Sequence, residues 1–386
     1  MSSKLFPGDP SKVMVIRKVT PEITTFSVPF SRFGLFKIGG RGTLVKLRTG
    51  SLAVISPVAL TPEVQQIIAS EGGKVQYIIA PDIEHHLHIT TWKRAFPDAQ
   101  ILAPEGLYEK RKTSRSYPDD PAFDHIFTKD GKHSLSISDE FHADFEVEYM
   151  DGHGNREIIL CHKPSRTLIE ADLLFNLPCK EQYAQSEESP TAGLLNRAFI
   201  SLLQATASPP TAHRRFAWYV LSKQDRASFA ESVRRIYNWD FDRVIPCHGD
   251  VIENRGKETI IGYYRAVRHG NQIFVAGTTA VDPQSPASAP RILFPGDAKQ
   301  QTIVALTESV KAVKALGGAG ASSIVRVKMF VARSEDCMAV GEGFREVLGK
   351  QQGNGVGTVA TMIVVQNGFV NRDMMVEVEV DAIADI

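Results

Sequence analysis

Four short clusters pair histidine with carboxylate: Asp82-Ile83-Glu84-His85-His86-Leu87-His88, Asp151-Gly152-His153-Gly154, Glu170-Ala171-Asp172 and Cys247-His248-Gly249-Asp250. Imidazole and carboxylate are the ligands that a hydrolytic zinc or iron site uses. Each cluster sits where a short apolar run ends. Ligands from several strand ends can converge on one edge of a sheet, whatever their distance in sequence. The bland alternative is that strand-end histidines only hydrogen-bond to backbone. His125, His133, His142, His162, His213 and His269 have no such motif around them and read as surface or hydrogen-bonding residues. Cys247 beside His248 invites a nucleophile-and-base reading, but adjacent strand residues point to opposite faces.

The elements that must carry these clusters are mixed α/β. Residues 44–49 and 52–55 are β-rich runs with Gly50 between them, a hairpin signal. Residues 62–70 open on Pro62 and place Val64, Ile67 and Ile68 at helical spacing, closed by Gly72-Gly73. A buried strand over 75–80 leads into the first cluster; a helix over 91–96 and a strand over 100–103 follow. Residues 157–160 and 167–169 read as paired strands, 222–237 as a helix and 243–246 as a last strand. Residues 176–211 are polar and Pro-punctuated, with an apolar helix-like piece at 194–203, and read as an insertion or lid.

Composition shifts at 254–258, a linker signal. Beyond it, strands are expected at 272–276, 324–331, 359–365 and 375–380. A helix is expected over 297–316, closed by Gly317-Gly318. This segment is long enough to fold as one domain.

Lysine plus arginine number 44 and aspartate plus glutamate number 44, so the net charge is zero. That balance argues against a chain whose main task is coating nucleic acid or an anionic membrane. Hydrophobic residues make up 43%, a globular profile. The cysteines (161, 179, 247 and 337) are too scattered for a disulfide framework. The N-terminus has no signal-peptide run and no stretch nears the ~20 apolar residues of a membrane helix. The expectation is a cytoplasmic protein with reduced thiols, a small-molecule substrate, and neither nucleic acid nor membrane as partner.

The four clusters in this order resemble a degenerate metallo-β-lactamase fold over residues 12–255. That family carries H-x-H-x-D-H after a strand, then a G-H turn, then an aspartate after a strand, then a terminal G-H-G or C-H-G. Leu168 to Phe175 is similar to the aspartate motif, Val244 to Gly249 to the last, and Asp151 to Asn155 to the middle one. If His85 takes the final place of the first motif, Glu84 takes the aspartate's place and Ala80 and Asp82 replace two histidines. The resemblance then implies one surviving ion, zinc or iron, held by Glu84, His85, Asp172 and His248, with His153 adding a ligand or serving a vestigial site. Asp172 would bridge or orient as a catalytic residue. A rival register uses His86 and His88, with Thr90 and Thr91 in the places of Asp and His.

Gly262 to Thr279 resembles the opening of the Rid (YjgF-like) family of imine and enamine deaminases. Gly296 to Thr302, Ile324 to Val331 and Val376 to Ala382 are similar to its later segments, so the likeness spans 259–384. It implies a chorismate-mutase-like α+β domain, a homotrimer, and pockets between subunits where water attacks a C=N carbon. The arginine that grips the substrate carboxylate in that family falls at Thr361, which supplies no cation. The acid that positions water corresponds to Glu379, or to Asp381 if the register slips by two. Tyr263 matches a pocket tyrosine, and Arg265 could bring charge from another direction.

The expected architecture is thus α/β plus α+β: an αββα metallo-β-lactamase-like sandwich over 1–255, then a chorismate-mutase-like Rid domain over 259–386. The function it suggests is hydrolysis of a small reactive metabolite, with a deaminase-like pocket in the second domain. The alternative is a catalytically eroded metabolite-binding or scaffolding oligomer.

Overall fold

The computed structural model describes residues 7–114, 117, 120–206, 213, 216–262, 266–269, 271–282, 285, 291–349, 357–366, 368–369 and 371–384. The chain divides into two compact units, Met1–Thr259 and Ile260–Ile386.

Among its described residues the first unit holds two large sheets and one of two strands. The larger runs β1-β2-β5-β6-β7-β8-β9, from β1 (Val15–Lys18), β2 (Ile23–Val28), β5 (Gly40–Lys46), β6 (Leu52–Ile55), β7 (Val75–Ile79), β8 (Gln100–Pro104) and β9 (His125–Phe127). A small hairpin, β3 (Ser31–Arg32) and β4 (Phe36–Lys37), interrupts it between β2 and β5. The second sheet runs β10 (Phe145–Met150), β11 (Glu157–His162), β12 (Thr167–Glu170) and β13 (Arg243–Pro246). Val45, Ile55, Tyr77, Ile79 and Leu102 of the first sheet share one core with Phe145, Tyr149, Ile158, Leu160, Ile169 and Ile245 of the second. The other face of the larger sheet packs Leu44, Val54 and Ile78 against Val64 and Ile68 of the helix Pro62–Ser70 and Trp92 of the helix Ile89–Ala95. β6, β7 and β8 are buried almost throughout, as strands covered on both faces must be.

Two sequence expectations shift and one helix is new. Residues 254–258 are not an open linker, because the helix Gly256–Gly262 begins inside them. Gly256 is a packing glycine: a Cβ there would lie 2.6 Å from the Asp242 carbonyl oxygen. The helix expected from 222 starts at Arg226, because the Asp225 carboxylate accepts the Ala227 and Ser228 N–H groups and caps it there. The helix Cys337–Leu348 was not foreseen. Within 176–211, the described residues hold a 3₁₀ turn at Glu181–Tyr183 and the helix Leu194–Leu202.

Among its described residues the second unit has one sheet, in the order β14-β15-β18-β16-β17. Its strands are β14 (Ala266–His269), β15 (Gln272–Thr278), β16 (Ile324–Val331), β17 (Val359–Val364) and β18 (Val376–Ile383). The helices Ala298–Ala315 and Cys337–Leu348 bury Ala305, Leu306, Val313 and Val340 against Val327, Met329, Val376, Val378 and Val380. On β18 burial alternates strictly, so Glu377, Glu379 and Asp381 share the face turned away from that core.

Candidate functional site

β12 and β13 run parallel with Glu170 opposite Pro246. Asp172 and His248 each follow that pair by two residues, so the two strands release them side by side. Proline is tolerated there because β13 is the edge strand. His85 arrives from the facing sheet, in the loop that follows β7. Gly249 turns the chain away at φ +95°, and a Cβ there would lie 2.2 Å from the Asn176 carbonyl oxygen, so the turn requires glycine.

These three side chains converge, each offering a ligand atom within 4.8 Å of the others. The two Nε2 atoms of His85 and His248 are 3.1 Å apart, and His248 Nε2 is 3.3 Å from Asp172 Oδ1. The partners behind each ring assign its hydrogen. His248 Nδ1 lies 2.7 Å from the Gly39 carbonyl oxygen, which only accepts, so Nδ1 carries the proton. His85 Nδ1 lies 2.9 Å from both carboxylate oxygens of Asp82, with the same consequence. In its neutral form each ring would therefore present a lone pair at Nε2 to the other, with Asp172 as a third electron-rich atom. Such a set is stable only around a cation, a proton or a metal ion. The residues present therefore fit a single ion.

The electrostatics agree. Burial alone would disfavour a charged His85, but Asp82 and Asp172 overturn it and push its pKa up to about 9. Burial likewise disfavours ionised Asp172, yet His85 and His248 hold it well below the usual carboxylate range. Asn155 Nδ2 donates to the other Asp172 oxygen at 2.6 Å. The His248 ring stacks on Phe175 at 5.2 Å and on Phe30 at 6.1 Å. Beneath the loop, Glu157 accepts the Ala171 and Asp172 N–H groups at 2.6 and 3.1 Å, and Glu170 accepts that of Leu174 at 3.1 Å. Both carboxyls are fully buried and held well above the usual range, Glu157 by burial and then by Glu170, so the protonated form is favoured in this pair.

Other expected ligands stand elsewhere. Glu84 turns away from the three and pairs with Lys110 Nζ at 2.8 Å and Arg32 Nη1 at 3.4 Å. His153 is wholly buried; its Nδ1 accepts the Asn155 N–H at 3.1 Å and its Nε2 lies 3.7 Å from Glu157, outside the converging group. The rival register does not form. His86 Nδ1 faces the buried Arg111 guanidinium at 2.8 Å, and burial, then Arg111, pushes its pKa down to about 4. His88 precedes the helix Ile89–Ala95. Cys247 is buried with Sγ 3.5 Å from the Arg41 carbonyl oxygen, and burial pushes its thiol far up, so it is no nucleophile.

The residues that sequence reasoning missed are the ones that aim the ligands: Gly39, Asn155, Phe30 and Asp82. Asp82 looked like a lost ligand. Its place three residues before His85 was the available signal, since a carboxylate behind a ligand imidazole fixes its tautomer.

In the second unit, Lys328 on β16 stands opposite both Thr361 on β17 and Glu379 on β18. Its Nζ donates to Glu379 Oε2 at 2.9 Å. Asp381 lies 3.8 Å from Arg326. Thr361 is exposed, and Tyr263 and Arg265 lie outside the described residues. Lys328 thus supplies a cation next to Thr361, a feature the sequence reading did not single out.

Residues 34–219 match the model of a domain of unknown function, DUF4336, and residues 255–384 match Endoribonuclease L-PSP. An uncharacterized protein of Streptomyces coelicolor is 35% identical over 125 residues, which are 32% of this chain and 84% of that protein. A RutC family protein of Pyrococcus abyssi is 25% identical over 129 residues, 33% of this chain and 91% of that one. Among solved structures, a YjgF/YER057c/UK114 family member from Mycobacterium tuberculosis is 29% identical, covering 33% of this chain and 91% of its own at a TM-score of 0.26. A metallo-β-lactamase from Pontibacter korlensis is 12% identical, covering 64% and 96% at a TM-score of 0.41. Among the described residues no helix is long and apolar enough to cross a membrane.

Proposed function

We propose, for a chain whose residues 255–384 belong to the Endoribonuclease L-PSP (Rid/YjgF) family, that the first unit is a single-ion hydrolase of metallo-β-lactamase-like αββα build and the second a variant deaminase-like pocket. The observation that carries the first half is the locked set of His85, Asp172 and His248, with Asp82 and the Gly39 carbonyl fixing both imidazoles from behind. Zinc or iron suits two imidazoles and one carboxylate. When bound, such an ion lowers the pKa of its water and polarises a carbonyl or phosphoryl oxygen. His85 and His248 contribute neutral nitrogens, so the proton that His85 otherwise holds must leave. Asp172 keeps one oxygen on Asn155 and turns the other inward. The substrate is a small reactive carbonyl, imine or lactone-like metabolite.

In the second unit Glu379 or Asp381 positions the attacking water, with Thr361 beside the substrate; Tyr263 and Arg265, the other contacts the family resemblance implies, lie outside the described residues. Pockets of this kind form between subunits, so a homotrimer through this unit, in the cytoplasm, is part of the proposal. The half-exposed row of charged residues on β16 and β18 supports a solvent-reachable pocket.

Equilibrium dialysis of the purified chain against zinc tests the first half. One ion per chain is expected, with at least a hundredfold weaker binding in His248→Ala and in Asp172→Asn, and a change of under about threefold in Glu84→Gln. Absence of stoichiometric metal, or full retention in both ligand variants, would overturn it. Ammonia release from imines generated in situ, lost in Glu379→Ala or Asp381→Ala, tests the second.

A further inference from the structure

Glu84 is the residue next to His85, yet its carboxylate does not join the converging ligands. It is held by two cations instead. Lys110 Nζ lies 2.8 Å from Oε1 and also donates to the Ile83 carbonyl oxygen at 2.7 Å, which fixes the ammonium in place. Arg32 Nη1 lies 3.4 Å from Oε2, a long contact for a charged pair. Two positive charges thus face the Glu84 carboxylate, with the Asp172 charge opposing them from the triad. Asp82, the next carboxylate along the chain, is buried and spent on His85.

The three side chains are reachable: Arg32, Lys110 and Glu84 are 48%, 42% and 32% exposed. Among the described residues, the guanidinium of Arg32 makes that one hydrogen bond and otherwise lies over the Phe33 ring at 5.5 Å. Most of its donors remain available. Arg32 is also tied to the metal triad by its own hairpin. Phe30 stacks on the His248 ring, and Gly39 accepts from His248 Nδ1. Between these two anchors the hairpin tip holds Phe33 at φ 55°, a left-handed conformation that costs a bulky residue energy, with the residue 74% exposed. Leu35 beside it is 56% exposed. A cation and an apolar tip are thus displayed together at the rim of the triad.

We propose that Arg32 and Lys110 form an oxyanion-binding site beside the triad, and that Glu84 occupies it as an intramolecular stand-in when no ligand is bound. The ligand is a small molecule with a carboxylate or phosphate and an adjoining apolar part that rests on Phe33 and Leu35. Its role as substrate recognition rests on the metal-hydrolase reading; the anion site itself does not. An incoming oxyanion must displace Glu84 from both cations. Removing the Glu84 carboxylate therefore raises anion affinity, the opposite of what removing a ligand or a structural group would do.

The test is titration calorimetry on the full chain with inorganic phosphate and, separately, with butyrate, on zinc-loaded and on chelator-treated protein. Glu84→Gln is expected to bind the preferred anion about fivefold more tightly, and Arg32→Ala and Lys110→Ala about fivefold more weakly. Whichever anion shows this reciprocal pattern identifies the ligand chemistry. Melting curves show that each variant is folded. Unchanged or weaker binding in Glu84→Gln overturns the proposal. So does anion binding that vanishes with the metal and ignores Arg32 and Lys110, which would place the anion on the ion and leave the metal reading standing. The reciprocal pattern in chelator-treated protein, in a chain that takes up no zinc, upholds the anion site and removes the hydrolase reading.

Discussion

The triad of the first unit and the Thr361–Lys328–Glu379 row of the second are both built from carboxylates beside basic groups, yet burial makes them different objects. His85, Asp172 and His248 are largely buried, and each is aimed by a partner behind it. Lys328 and Glu379 lie on an exposed sheet face, where water screens them. The first arrangement is held by partners that the fold itself supplies. The second acquires its strength only when something covers it. Buried polar groups should therefore dominate the stability of the first unit, and surface charge should leave that of the second untouched.

The largest expected effect tests the buried side. Glu157→Leu strands the Ala171 and Asp172 N–H groups inside the protein, at a cost of about 3 kcal/mol in a urea melt. Glu157→Gln keeps one accepting oxygen and loses less. Because the folded pKa of Glu157 lies above its unfolded value, its contribution is complete at low pH and shrinks as pH rises. The glutamine variant should accordingly close the gap to the native chain in alkaline solution. A Glu157→Leu protein as stable as the native one would break the contrast.

Next in size is an acid effect centred on His213. Its Nε2 accepts the Phe175 N–H at 2.9 Å, so it must be unprotonated, and burial pushes its pKa down to about 4. In the unfolded chain the ring takes up a proton near pH 6.5. Below that pH the unfolded state binds more protons, so stability falls as pH drops from about 6.5 to 4, by up to about 3 kcal/mol. His213→Gln, which retains an acceptor without the titration, should flatten that limb in pH-dependent denaturation. An unchanged limb would remove His213 as its cause.

How much of this could be read from the chain depends on which interaction is local. The strand ends and their clusters were legible because apolar runs stop abruptly at Ala80, Glu170 and Pro246, and β12–β13 pairing does the rest. Pairing across strands told nothing of where Glu84 would point, because its partners Arg32 and Lys110 lie 52 residues before it and 26 after it. The helix that begins inside the expected linker was hidden for a similar reason. Gly256 looks like flexibility in sequence, but a backbone carbonyl from β13's entry leaves no room for a side chain there. In the second unit the alternation of β18 was plain, whereas Lys328 became notable only once β16 was seen between β17 and β18.

The smallest expected effect lies on that exposed row. Lys328 reaches across to Glu379 with both side chains open to water, and its pKa is raised first by the Glu379 hydrogen bond and then by its charge. It is therefore a firm cation, suited to an anion and poorly suited to act as a free amine nucleophile. An exposed pair of this kind contributes little to folding. Lys328→Met should leave the melting temperature of dilute protein unchanged, while weakening capture of any carboxylate-bearing imine at that face. The same substitution made in concentrated protein separates two arrangements. If copies of the chain cover the row, losing the cation leaves Glu379 buried against its neighbour without a partner, and sedimentation should show the assembly weaken. A melting temperature in dilute solution that drops as far as that of Glu157→Leu would erase the distinction between the two regions, because it would mean that the open face is as much a part of the folded core as the carboxyls beneath Asp172.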